Sequence, residues 1–278
     1  MIDHRGAGWA TAQLGDVELE FEVMGTGPEL VWLHGLSGNL EGERRMVEPL
    51  ADEFRLLWFS SRGHGRSTPV LEASRYGYEL FAEDLERLLD HVGFARPLIA
   101  GGSHGANTAL RHELTHPGRA RALCLIAPGA NAIHEPDPQL LANLRQLTEF
   151  AASMGAPGLL QAATGITPDD PSPDPQTVAA FNTHDLDSLA AAMNLVIDQR
   201  AADPAALPGI AVPTHVVAWD ADPFIHPIAT AREIVALVPG ATFEEVPAPA
   251  TMAPAEAAAL GTDVIRRWAR AASAVPIS

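Results

Sequence analysis

The chain has 278 residues, 47% of them hydrophobic, and its 35 acidic and 18 basic side chains give a net charge of −17. This length fits one large domain with a substantial core, and the acidic balance argues against non-specific binding to nucleic acids or anionic membranes. The single cysteine, Cys124, lies in an apolar run, so we predict a buried thiol and no disulfide within the chain. No uncharged run reaches the roughly 18 residues of a membrane helix, and residues 1–5 lack an apolar signal core. We therefore expect a soluble, cytoplasmic protein.

Hydrophobic periodicity predicts strands that alternate with helices along the chain. Residues 17–23 alternate apolar and acidic side chains, which is the pattern of a half-exposed strand at a sheet edge. Apolar runs predict further strands at 30–33, 56–59, 97–100, 122–127, 216–219 and 242–246. Helical spacing predicts helices at 78–91, from 106 to 111, at 230–237 and at 255–271. This alternation predicts an α/β fold with a mostly parallel sheet that helices cover on both faces.

One segment interrupts the alternation of strands and helices. Residues 132–209 contain no convincing strand, and they hold helical patches at 140–154, 178–181 and 186–200 with a link rich in Pro and Asp at 167–175. We interpret 132–209 as a helical cap inserted over the carboxyl edge of the sheet. Residues 1–131 and 210–278 would then form the core domain.

A G-x-S-x-G pattern occupies residues 101–105, after the predicted strand at 97–100 and before the predicted helix. This strand–turn–helix context is typical of a nucleophile elbow, in which glycines permit a tight, strained turn that raises a serine hydroxyl above the sheet edge. We therefore predict Ser103 as a nucleophile.

A second group of candidate residues follows the strand at 30–33, at the carboxyl edge where open α/β sheets form their sites. The backbone N–H groups of Gly35 or Leu36, together with that of His104, are predicted to form an oxyanion hole. By topology, His34 and Trp219 are expected beside the same pocket.

Four motifs together resemble the α/β-hydrolase fold superfamily, which includes esterases, lactonases, epoxide hydrolases and C–C bond hydrolases. They are the His-Gly pair at 34–35, the S-S-R-G-H-G-R-S run at 60–67, the elbow at 101–105 and the D-P-F-I-H-P run at 222–227. The resemblance implies an eight-stranded, mostly parallel sheet. It also implies a carboxylate after the strand that ends at Trp219, and Asp222 fits this position better than Asp220 because a Pro-containing tail follows it at the family's spacing. Ser60 stands where the family usually has Asp.

The chain departs from this family at the general base. The family's histidine lies in the loop after the last strand, where this chain has Ala250 and Thr251, and no histidine occurs after His226. Because a serine hydroxyl needs a base within hydrogen-bond reach, one hypothesis is that a different histidine serves as the base. The candidates are His226, for which local packing is the preferred interpretation, and His184, for which a surface position in the cap is preferred. The ring of His104 is a weaker candidate, since consecutive residues in a tight turn point apart.

Two alternatives to a substitute histidine remain open. The pocket could bind a small molecule or assist a lyase, cyclase or isomerase step without an acyl-enzyme, or the histidine could have been replaced by engineering. The leading prediction is a cofactor-free hydrolase of a small ester, lactone or related carbonyl compound. We expect a small-molecule substrate, no nucleic acid, no membrane, no metal and no cofactor. His112 and His116, four residues apart, are interpreted as a solvated helix face. A monomer and a homodimer are equally compatible with the sequence.

Overall fold

The computed structural model describes residues 8–135, 138–164, 166–167, 173–193, 199–220 and 224–274. One eight-stranded sheet consists of β1 (Ala10–Leu14), β2 (Val17–Met24), β3 (Glu29–Leu33), β4 (Arg55–Phe59), β5 (Leu98–Gly102), β6 (Ala122–Ile126), β7 (Thr214–Ala218) and β8 (Thr242–Glu245). Its spatial order is β1-β2-β4-β3-β5-β6-β7-β8. Strand β2 pairs antiparallel with β1 and β4, and every other pairing is parallel. The predicted mostly parallel sheet is confirmed.

The described helices are α1 (Leu40–Val47), α2 (Tyr78–Val92), α3 (His104–Thr115), α4 (Pro138–Ser153), α5 (Ala156–Thr164), α6 (Pro175–Phe181), α7 (Leu186–Met193), α8 (Ile228–Leu237) and α9 (Pro254–Ala274). Apolar side chains of α2, α3 and α8 pack on one face of the sheet. Those of α1 and α9 pack on the other face. In the described part of the chain, no helix is both long and apolar enough to span a membrane.

The strand at 17–23 is not at the sheet edge, because β1 pairs with it on its outer side. Of the three acidic side chains that suggested exposure, Glu18 is exposed, whereas Glu20 and Glu22 are buried in polar networks. Glu20 accepts hydrogen bonds from Ser60 Oγ at 2.5 Å and from the Arg66 backbone N–H at 3.0 Å. Glu22 pairs with Arg44 at 2.6 Å. Burial of a carboxylate is tolerated where such partners satisfy its oxygens. The alternation of apolar and acidic residues therefore did not indicate solvent exposure at Glu20 and Glu22.

The turn after β4 is fixed by buried polar contacts, in agreement with a structural role for residues 60–67. Ser60 Oγ, at the family's Asp position, accepts a hydrogen bond from the Leu40 backbone N–H at 2.8 Å. Arg62 makes a two-pronged pair with Asp84 of α2, with N–O distances of 2.7 and 2.8 Å, and both side chains are buried. Such a pair adds geometric specificity to the turn as well as energy.

Between β6 and β7 the described residues form helices and no strand. This segment contacts the core domain through side-chain hydrogen bonds. Asn39 Nδ2 donates to the Ala180 carbonyl at 2.9 Å, and the Val70 N–H donates to Ser188 Oγ at 2.9 Å. The division into a core and a cap at 132–209 stays a prediction. Most of the Pro/Asp-rich link lies outside the described residues, as do residues 1–7, 194–198 and 275–278.

Candidate active site

The turn between β5 and α3 holds Ser103 in a strained backbone conformation, with φ 53° and ψ −115°. Its glycines are required by close packing. A Cβ at Gly101 would lie 2.4 Å from the carbonyl carbon of Gly105, and a Cβ at Gly105 would lie 2.1 Å from the Leu33 carbonyl oxygen. A strained backbone conformation persists only where the surrounding structure enforces it, and residues in such conformations are concentrated at functional sites. Ser103 is half-buried at the carboxyl edge of the central strands.

His226 is the histidine that contacts the serine. Its Nε2 lies 2.8 Å from Ser103 Oγ, which is hydrogen-bond distance. The loop between β7 and α8 carries His226, and a backbone hydrogen bond from the Ala130 N–H to the Ile225 carbonyl, 2.8 Å long, anchors this loop to the chain after β6. The interpretation that His226 packs only within its own loop is therefore wrong. It lies four positions after Asp222 in sequence, and the loop turns its ring toward Ser103.

The second candidate base, His184, lies elsewhere. Its Nε2 is 2.8 Å from Asn39 Nδ2, and its Nδ1 accepts a hydrogen bond from the Gly65 N–H at 3.2 Å. It is buried, so the expected surface position is wrong. Burial and the neighbouring His64 lower the pKa of His184 to about 3. Both ring nitrogens are thus occupied by protein groups other than Ser103.

The backbone predicted to bind an oxyanion lies next to the serine. A Cβ built on Gly35 would be 3.8 Å from Ser103 Cβ. Two buried histidines hold this turn: His34 Nδ1 lies 2.6 Å from the Gly35 carbonyl, and His64 Nε2 lies 2.6 Å from the Leu36 carbonyl. Burial lowers the pKa of both imidazoles. Neutral imidazoles can donate one hydrogen bond and accept another, so these rings serve as fixed braces for the turn.

The ring of His104 points away from the serine and into the core. It packs edge-on against Phe81, with ring centroids 4.5 Å apart, and lies 5.4 Å from the ring of Tyr78. Neither ring nitrogen has a hydrogen-bond partner among the described residues, and burial lowers its pKa to about 3. With His34, this ring lines a small cavity of about 10 Å³ that is separate from the larger pocket at Ser103. The expected pocket position of the His34 side chain is therefore not observed.

A larger cavity of about 580 Å³ opens at Ser103 and His226. Its wall is mostly apolar and comes from the ends of β3, β6 and β7 and from α1 and α9. Trp219 lies in this wall, as expected, and its ring centroid is 6.4 Å from that of His226. The remaining described lining residues are Trp32, Gly35, Ser37, Glu43, Met46, Gly102, Ile126, Ala127, Val217, Val246, Pro249, Ala257, Ala258, Leu260, Gly261 and Val264.

The expected acid and the expected base position belong to the loops after β7 and β8. Asp222 lies outside the described residues, and Asp220 is exposed after β7. Ala250 and Thr251 are exposed in a short 3₁₀ turn whose first residue, Pro249, lines the large cavity. The loop that holds the family's histidine therefore borders the pocket here without an imidazole.

Glu43 is a pocket residue that was not predicted from the sequence. It lies on α1, where Asn39 Oδ1 caps the helix by accepting a hydrogen bond from the Gly42 N–H at 2.8 Å. Trp32 Nε1 donates a hydrogen bond to Glu43 Oε2 at 3.2 Å. Burial raises the pKa of the Glu43 carboxyl to about 7, and the bond from Trp32 opposes this shift. Carboxyls with strongly raised pKa values in clefts are candidate functional groups.

One cluster of the described residues has ligand atoms spaced for a metal ion. Atoms of Glu86, His112 and His116 lie within 4.8 Å of one another on α2 and α3. His112 is buried, so the interpretation of a solvated helix face is wrong for this residue. Burial lowers its pKa to about 4, while its Nε2 lies 2.9 Å from Glu86 Oε2. Arg119 Nε already donates to the other oxygen of Glu86 at 2.8 Å, so an arginine supplies the positive charge here.

Comparison with known proteins agrees with the fold. A family model described as alpha/beta hydrolase fold matches residues 28–164. The chain is 32% identical over 116 residues to a fluoroacetate dehalogenase from a Burkholderia species, an alignment that covers 41% of this chain and only 38% of the dehalogenase.

Two solved structures share the fold over nearly the whole chain. An esterase from Thermogutta terrifontis superimposes with a TM-score of 0.76 at 24% identity, over 96% of this chain and 99% of the esterase. The enol-lactonase from Burkholderia xenovorans LB400 gives a TM-score of 0.73 at 24% identity, over 92% and 98% of the two chains. The chain has the α/β-hydrolase fold. Several further relatives are named as hydrolytic enzymes, among them proline iminopeptidases and a putative carbamate hydrolase, and one is named as an acetyltransferase component of an acetoin cleaving system.

Proposed function

We propose that this chain is a serine hydrolase of small esters, lactones or related carbonyl compounds, with His226 in the place of the family's missing base. The observation that carries the proposal is the 2.8 Å contact between His226 Nε2 and Ser103 Oγ. A base at this distance can take the hydroxyl proton as the oxygen attacks. The strained backbone of Ser103 and the adjacent Gly35 turn support the same assignment.

The reaction follows from this geometry. Ser103 Oγ attacks the carbonyl carbon while its proton passes to His226 Nε2, and the carbonyl oxygen becomes an oxyanion. Backbone N–H groups of Gly35 or Leu36 and of His104 would stabilise that charge. Collapse of the tetrahedral intermediate expels the alkoxide, which takes the proton from the imidazolium. Water then attacks the acyl-enzyme while His226 accepts a proton from it. As the second tetrahedral intermediate collapses, the imidazolium returns this proton to Ser103 Oγ and the acid leaves.

We assign Asp222 as the carboxylate that orients His226. Both residues belong to the loop after β7, four positions apart. A carboxylate that accepts a hydrogen bond from Nδ1 keeps Nε2 unprotonated and stabilises the imidazolium. In this arrangement the base and its orienting acid come from one loop, and the loop after β8 contributes Val246 and Pro249 to the pocket wall.

The experiment measures covalent labelling by a fluorophosphonate probe and turnover of 4-nitrophenyl butanoate. Ser103→Ala is expected to abolish labelling, and His226→Gln is expected to slow labelling and turnover by on the order of 10⁴-fold, as for loss of a triad member. His91→Gln, at an exposed position on α2, is the control and should match the wild type. Wild-type rates in His226→Gln would contradict the assignment of the base.

The same experiment separates a second function, the binding of a small molecule or a non-hydrolytic step. The observation that favours it is the absence of histidine at the exposed residues Ala250 and Thr251, beside the cavity. A wild-type protein that neither labels nor turns over the ester would support this second function over hydrolysis.

A further inference from the structure

We propose that Glu43 binds a protonated amine of the substrate, so that the preferred substrates are esters or lactones with an ammonium group close to the scissile carbonyl. The inference concerns the substrate class and rests on the proposed hydrolysis at Ser103. Three observations support it: the position of the carboxylate in the cavity, the absence of a cationic partner for it among the described residues, and its short path to the nucleophile.

Glu43 is the single carboxylate among the described residues that line the large cavity, and no arginine is among them. The two arginines that follow it on α1 are engaged elsewhere, since Arg44 pairs with Glu22 at 2.6 Å and Arg45 with Asp174 at 3.0 Å. Among the described residues, the Glu43 carboxylate accepts one side-chain hydrogen bond, from the indole N–H of Trp32 at 3.2 Å. A cavity with this lining favours cationic ligands and disfavours anionic ones.

A carboxylate removed from water without a cation is costly, and a paired cation reduces that cost. This cost explains why the Glu43 carboxyl has a pKa of about 7 in the free protein. An ammonium ligand would supply the missing charge and lower that pKa, because a nearby opposite charge favours the ionised form. Trp32 is also in the cavity wall, and aromatic rings attract ammonium groups by cation–π interaction.

One β-turn connects the carboxylate with the nucleophile. The Gly38 N–H donates to the Gly35 carbonyl at 2.9 Å, so the Cα atoms of these glycines lie within about 7 Å of each other. A Cβ on Gly35 would lie 3.8 Å from Ser103 Cβ, and a Cβ on Gly38 would lie 2.7 Å from Glu43 Oε1. Ser103 and Glu43 also line the same cavity, so a substrate whose ammonium and carbonyl match their separation can contact both.

The turnover experiment compares 4-nitrophenyl 3-aminopropanoate with 4-nitrophenyl butanoate, in which a methyl group replaces the ammonium. The wild type is expected to show a higher kcat/KM for the cationic ester. Glu43→Gln keeps the shape and an acceptor for Trp32 but removes the charge, and it should reduce the cationic-to-neutral ratio by about 10-fold or more, as for loss of a charge-assisted hydrogen bond. Glu41→Gln, which removes a partly exposed charge from the same helix, should leave the ratio unchanged.

A binding experiment decides the inference even if hydrolysis fails. Propylammonium, the amine without the ester, is titrated into the wild type, Glu43→Gln and Glu41→Gln by calorimetry, and 1-propanol is the neutral comparison. Tighter binding of propylammonium that only Glu43→Gln weakens would support the ammonium site, and a lack of ester turnover would then count against the proposed function alone. Equal affinity of the wild type for the amine and the alcohol, or equal ester ratios in the wild type and Glu43→Gln, would overturn the inference.

Discussion

Substitution of Glu43 by Gln is expected to stabilise the free protein, and the gain should depend on pH. The Glu43 carboxyl has a pKa of about 7 in the folded chain against an ordinary value of 4.5. The unfolded chain therefore loses this proton first as the pH rises, and the stability of the wild type falls between about pH 4.5 and pH 7 relative to the variant. The difference in pKa corresponds to at most about 3.4 kcal/mol above pH 7, at roughly 1.36 kcal/mol per pKa unit.

Thermal unfolding of the wild type, Glu43→Gln and Glu41→Gln at a series of pH values measures this effect. At roughly 2 °C per kcal/mol for a chain of this length, Glu43→Gln should unfold up to about 7 °C above the wild type near pH 8 and close to it near pH 4. Glu41 is partly exposed and pairs loosely with Arg44, at 3.7 Å, so its substitution should change little at any pH. A difference between Glu43→Gln and the wild type that does not vary with pH would refute the reasoning.

Three further predictions concern the elbow, the turn after β4 and the empty base position. Gly105→Ala should destabilise the protein by about 3 kcal/mol or more in denaturant unfolding, because its methyl group would overlap a backbone carbonyl of β3. The control is Gly209→Ala, since no atom lies within 4 Å of a Cβ at that position. Equal unfolding midpoints of the two variants would contradict the packing argument. Asp84→Ala should cost about 3–5 kcal/mol by the same measurement, since it removes the buried, two-pronged partner of Arg62 and leaves as its ion pair only the longer contact with the exposed Asp16, at 3.6 Å, and a loss below about 1 kcal/mol would disagree. Thr251→His should leave fluorophosphonate labelling within about twofold of the wild type if His226 is the base, whereas a large increase would show that the base was missing.

The mostly parallel character of the sheet and the position of the elbow followed from the sequence because both depend on local patterns, whereas the strand β1 was not predicted. The apolar run at 97–100 and the glycines around Ser103 specify a strand and a tight turn almost without reference to the rest of the chain. The alternating acids of β2 were misleading for the converse reason. Glu20 is buried because Ser60 and Arg66, 40 and 46 residues away in sequence, satisfy its oxygens.

The roles of residues that tertiary folding brings to the site could not be predicted from the sequence. Whether His226 or His184 reaches Ser103 depends on how two loops fold back on the sheet, and sequence spacing does not encode this direction. Glu43 gave only a local signal, the Asn39 cap before its helix. Its orientation into the cavity results from the packing of α1 against β3, where Trp32 binds it.

The buried histidines that brace the core also make unfolding a proton-consuming reaction in mild acid. His104, His112 and His184 have pKa values of about 3, 4 and 3 in the folded chain against an ordinary 6.5. At about pH 5, unfolding would therefore bind nearly three protons at these sites, and their contribution to stability would fall there by about 4 kcal/mol per pH unit. The fall becomes less steep below about pH 4, where the native state also takes up these protons. Burial of these imidazoles thus makes the native state easier to lose in acid.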